Sequence, residues 1–119
     1  MEVLAGVAVA AVAILHIVFL VMEMFLWNKP IGMRSFHLDA ERARITATLA
    51  ANQGLYNGFL AAGLIWSFIA TDQQWPIRLF FLSCVIIAGL FGAVTVGKSI
   101  LWVQALPGVI ALILAYLAR

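Results

Sequence analysis

The chain has 119 residues, 66% hydrophobic and 10% charged, with a formal net charge of +2. Soluble domains run at about 45–50% apolar and about 25% charged, so the composition speaks against a soluble monomer. The charge is too small and too dispersed for a nucleic-acid surface, and a lone Cys84 supplies neither a disulfide framework nor a thiolate zinc site.

Four apolar stretches, residues 3–27, 45–70, 77–96 and 100–118, carry the bias. Each is close to the ~20 residues that a membrane-spanning helix needs. They predict an all-α polytopic membrane protein: a single domain of four transmembrane helices in one compact bundle, over about 3–27, 40–70, 77–96 and 100–118. The first stretch lacks a basic flank and a small-residue cleavage site, so it is expected to stay in the mature chain rather than act as a leader. Lys29, Arg34, Arg42 and Arg44 follow the first helix and Lys98 follows the third, whereas Arg78 and Arg119 fall on the opposite face. The positive-inside rule then puts the first loop in the cytoplasm and both termini outside, which in a bacterial inner (plasma) membrane is the periplasm.

On the first helix, His16 and Glu23 are seven residues apart and share a face, with Trp27 on the same stripe as an interfacial anchor. A carboxylate at that depth must face the bundle interior and be paired or protonated; Lys98 is the expected partner in an inert role. His16 and Glu23 together are candidates for moving a proton, and Cys84 reads as a packing residue. No two metal-ligating side chains fall at i,i+4 spacing, so no metal site is read, and no motif names a cofactor.

In the loop, Pro30 and Gly32 break the helix, Phe36 and Leu38 are expected at the membrane surface, and His37 is expected to be solvated. Asp39 is the expected N-cap of the second helix. Arg42 and Arg44, in its first turns, are expected at lipid phosphates.

The second helix carries the most informative pattern. Asn52, Gln53, Tyr56 and Asn57 put four polar side chains within six residues of an apolar run, on one arc of about 140°. Nothing in lipid can hydrogen-bond to them. On another face Ala50, Gly54, Gly58 and Ala62 recur every fourth residue, a ridge that permits close helix approach. The third helix has similar small-residue rows, and in the fourth Gln104 precedes Pro107-Gly108, where a kink is expected.

Placed by depth, Glu23, Asn52, Gln53, Tyr56, Asn57, Thr95, Lys98 and Gln104 all fall in the cytoplasmic half. They read as the lining of a pocket open to the cytoplasm or the inner leaflet. The plain alternative is interhelical hydrogen bonding that fixes register, at about 1 kcal/mol or less per bond. Four polar groups at one depth exceed what register needs.

The pattern yields three candidate functions. In the first, a small amphiphile or lipid binds from the leaflet, with Asn52, Gln53, Asn57, Gln104 and Lys98 orienting it, Tyr56 polarising it, and Glu23 with His16 handling a proton. The second is a small proton-coupled transporter using Glu23. The third is a structural or assembly protein that forms a homo-oligomer through its small-residue ridges.

With Glu-Met-Phe-Leu-Trp at 23–27, Leu-Ala-Ala-Asn-Gln-Gly-Leu-Tyr-Asn-Gly-Phe-Leu at 49–60 and Val-Gln-Ala-Leu-Pro at 103–107, the chain resembles a family of small bacterial membrane proteins, domain of unknown function thirteen-oh-four. The resemblance covers nearly the whole chain and implies four membrane helices in the plasma membrane, with no agreed activity. A looser likeness, carried by Arg44 and Asn52, is to the membrane-associated enzymes of eicosanoid and glutathione metabolism. Leu55 stands where those enzymes have a glutamate, and their proline-rich step is missing.

Overall fold

The computed structural model describes all 119 residues, Met1–Arg119, and they form helices joined by short turns, with no strand. In chain order these are α1 (Glu2–Met24), α2 (Pro30–Ser35), α3 (Ala40–Ile69), a 3₁₀ turn (Thr71–Gln73), α4 (Gln74–Thr95), a π-helical segment (Leu101–Ala105) and α5 (Leu106–Ala118). The fold is all-α, as the unbroken apolar runs predict.

Three segments, Glu2–Met24, Thr71–Thr95 and Leu101–Ala118, are long and apolar enough to cross a membrane. Helix α3 is longer than any of them at 30 residues, but Asn52, Gln53 and Asn57 lower its mean hydropathy and keep it out of that group. The most exposed side chains include Val94 at 88%, Val3 at 81%, Val96 at 80% and Ile69 at 76%. Apolar exposure on that scale marks a surface that meets something other than water.

The chain divides into two compact units, one of Met1–Ile14 with Leu60–Arg119 and the other of Leu15–Phe59. In the first, α1 contributes Val9, Val12 and Ala13, α3 contributes Leu64, α4 contributes Leu82 and Val85, and α5 contributes Ala111 and Ala115 to one buried cluster. Four helices thus share an aliphatic core. Small residues admit the neighbours: Phe81 lies where a side chain on Gly63 would go, and a carbon added at Gly89 would come within 2.6 Å of the Ala105 backbone nitrogen. The expected break near Pro107 takes the form of the π segment just ahead of it, a widened turn that brings the Ala105 backbone against Gly89. At one end of this unit Glu2, the turn after α3 and the last residues of α5 border a common recess.

In the Leu15–Phe59 unit, α1 stops at Met24, short of Trp27. The chain turns there because Gly32 presses its bare backbone onto Leu26 and Trp27, leaving no room for a side chain. The helix has already ended before Pro30, which acts not as its breaker but as the start of a new one: it occupies the first turn of α2, where its missing N–H costs nothing. His37 closes the loop with a positive φ of 54°. Asp39 caps α3 as its position predicts, its Oδ1 accepting the Arg42 backbone N–H at 2.7 Å. The Trp27 indole donates to Thr46 Oγ1 at 2.9 Å and its ring lies 4.7 Å from that of Phe36. Arg44 forms a surface ion pair with Glu41, 2.9 Å apart.

Candidate functional site

The buried positions of α3 within the Leu15–Phe59 unit are Ala43, Ala50, Gly54 and Asn57, spaced by seven, four and three. That spacing makes one inward stripe of a helix. Gly54 and Gly58, two members of the small-residue ridge, meet α1, whereas Ala62 is exposed. A carbon added at Gly54 would lie 2.7 Å from Met24 Cγ and 3.1 Å from Glu23 Cβ, and one at Gly58 would lie 2.6 Å from Leu20 Cδ1. The close approach carries Glu23 to α3, where Asn57 Nδ2 donates to Glu23 Oε1 at 2.6 Å. Glu23 is 5% exposed and Asn57 9%. The partner of Glu23 is therefore a neutral amide rather than Lys98, which is exposed.

The four polar residues of α3 do not share one environment. Asn57 is buried; Asn52, Gln53 and Tyr56 are exposed, Tyr56 to 61%. At 100° per residue Gln53, Tyr56 and Asn52 lie about 40°, 100° and 140° round the helix from Asn57. The arc is continuous, but it is rotated so that one edge touches the interior and the rest faces outward. Chemically it is a strip of amide and phenol groups leading from the surface to a buried carboxylate. Tyr56 stacks loosely on Phe59, with ring centroids 6.0 Å apart. His16 is fully buried, two turns before Glu23, with the Phe19 ring edge-on at 5.4 Å. Gln104, half-buried in the π segment, and exposed Lys98 belong to the other unit. No three His, Cys, Asp or Glu side chains are grouped to hold a metal ion.

A second buried polar group lies in the Met1–Ile14/Leu60–Arg119 unit. Arg78, counted from the sequence only as a basic residue of the outer face, is 4% exposed. Its Nε donates to Ser67 Oγ at 3.2 Å, its guanidinium sits 4.9 Å from the centre of the Phe68 ring, and the Glu2 carboxylate is near enough to attract its charge. Ser67 in turn donates to the Leu64 carbonyl at 2.6 Å. The signal was available: Arg78, Leu82, Val85 and Gly89 follow one another by four, three and four, which places Arg78 on the inward stripe of α4.

Against this geometry, the family model for "Protein of unknown function (DUF1304)" matches residues 10–116. The chain belongs to the DUF1304 family. It is also similar to the uncharacterised protein YpaA of Lactococcus lactis subsp. lactis (strain IL1403), 30% identical over 97 residues, covering 80% of this chain and 82% of that protein. No solved structure matches it. The match of this DUF1304 chain spans both units, including Glu23, Asn57 and Arg78.

Proposed function

We propose that the chain is an integral protein of the bacterial inner membrane, crossing it with α1, α3, α4 and α5, its first loop cytoplasmic and its ends on the periplasmic side. In that arrangement it binds a small amphiphile along the polar strip of α3. The observation that carries this reading is the hydrogen-bonded pair Glu23–Asn57, 2.6 Å apart, at the inner edge of an arc whose other members are exposed. Hydrogen-bonding groups facing lipid are costly unless something meets them. A polar headgroup arriving sideways from the leaflet would meet Asn52, Gln53 and Tyr56 and reach Asn57 and Glu23 at the end of the strip. The site is thus an open polar face rather than an enclosed pocket. Glu23 is its proton-handling group, with His16 buried two turns away on the same helix.

Membrane charge supports the orientation: five basic residues flank the first and third loops against two on the other face. The apolar outer faces of α1, α4 and α5 support the membrane.

The test is co-purification. Wild type and the double variant Asn52→Ala/Tyr56→Phe are extracted in mild detergent, and bound small molecules are identified by mass spectrometry. Both positions are exposed, so the substitutions spare the core. A lipid or metabolite present on the wild type and lost from the variant supports the site; an identical bound complement on both rules it out.

A further inference from the structure

The recess at the end of the Met1–Ile14/Leu60–Arg119 unit has Glu2, Thr71, Asp72, Gln74, Trp75 and Arg119 on its walls. It brings opposite charges together without pairing them, since the chain's salt bridge is Arg44–Glu41. Glu2 and Asp72 give the recess two carboxylates and Arg119 gives it one guanidinium, and Glu2 also attracts the charge of the buried Arg78. Asp72 and Arg119 are both exposed and neither is in a salt bridge. Arg119 is nonetheless held in place, with its guanidinium 4.0 Å from the Tyr116 ring centre and 5.7 Å from that of Trp75. Stacking of this kind occupies the faces of a guanidinium and leaves its N–H donors free for an anion.

The same two terminal helices carry an apolar groove in the same unit. Ala8, Ala11 and Val12 of α1 and Leu106, Pro107 and Ile110 of α5 form its walls. From Glu2 to Ala8 and Val12 is about 9–15 Å along a helix at about 1.5 Å per residue. That depth falls within one leaflet of a hydrocarbon core about 30 Å thick.

We propose that the recess binds the headgroup of a zwitterionic phospholipid, one that carries both a phosphate and an ammonium, with an acyl chain in the α1–α5 groove. Arg119 takes the phosphate and Asp72 the ammonium. Thr71 and Gln74 add neutral hydrogen bonds, and Trp75 sits at the interfacial level where tryptophan is favoured. An anionic lipid without an amine would satisfy Arg119 and leave Asp72 without a cation. The charge pattern therefore selects for the amine. The inference rests on the membrane-spanning reading above but not on the Glu23–Asn57 site.

The full chain in detergent micelles is offered equimolar phosphatidylethanolamine and phosphatidylglycerol, and bound lipid is read by native mass spectrometry. Wild type retains the ethanolamine lipid over the glycerol lipid by about fivefold, equivalent to a modest difference in affinity. Asp72→Asn/Arg119→Gln, at two exposed positions, brings the ratio to near one. Ala11→Trp, which fills the groove, lowers retention of both lipids. Soluble glycerophosphoethanolamine, lacking chains, does not displace the lipid at equal concentration. Asn52→Ala/Tyr56→Phe keeps the wild-type ratio, so the two sites fail separately. A wild-type ratio near one, a ratio unmoved by the Asp72/Arg119 double change, or displacement by the chainless headgroup would each overturn the proposal.

Discussion

The two units of this chain are held together by different means. Around Leu64, Leu82, Val9, Val12 and Val85 the Met1–Ile14/Leu60–Arg119 unit buries branched aliphatic side chains completely. The Leu15–Phe59 unit buries no large aliphatic side chain to that degree. Its buried positions are His16, Glu23, Gly32, Ala43, Ala50, Gly54 and Asn57. One unit is stabilised by volume and the other by its absence: bare backbone at Gly32 and Gly54 brings chain segments close enough for a polar tie to form. Van der Waals packing and interhelical hydrogen bonds are the two forces left to helices in lipid, where burial from water contributes little. In the membrane arrangement proposed above, the chain uses them in separate places.

That contrast can be broken by three substitutions. The largest effect is expected from Leu64→Ala, which opens a cavity in the aliphatic core and should cost about 3 kcal/mol. Hydrogen exchange should then rise in α4 and α5 while residues 15–59 keep their protection. Next comes Gly54→Leu, which adds volume where Met24 and Glu23 already touch the backbone and should cost about 2 kcal/mol. Its exchange pattern should be the reverse, with α2 and the adjoining parts of α1 and α3 loosened. The smallest effect is expected from Asn57→Leu, which leaves the Glu23 side chain buried without its donor, at about 1.5 kcal/mol. A double-mutant cycle with Glu23→Met, which removes the acceptor, isolates that pairing, and a coupling near zero would show that the tie contributes nothing to stability. Unfolding in mixed micelles measures all three.

Much of this was legible in the residues. Unbroken apolar runs gave away the long helices, Asp39 announced the start of α3, and the Gly54/Gly58 spacing announced a close neighbour. Other features were hidden for physical reasons. Helix α2 is 6 residues long, too short to show a period, and its Pro30 reads as a breaker until it is seen in a first turn. A helical wheel fixes which residues of α3 share an arc but not how the helix is rotated against α1, so Asn52 and Tyr56 pass for interior groups. The charge of Glu23 points to a cation as its partner, yet the fold supplies an amide. The charge of Arg78 suggests a surface position, whereas the stripe it shares with Leu82 and Val85 gives its burial.

The widened turn at Leu101–Ala105 and the bare backbone of Gly89 fit one another like a peg and a notch. Neither can change alone. A methyl group at position 89 would collide with the Ala105 backbone, whereas removing one residue from the turn would tighten the coil and withdraw the peg. In any longer history of this chain the two alterations should therefore travel together, an alanine at 89 arriving with a deletion some fifteen positions downstream.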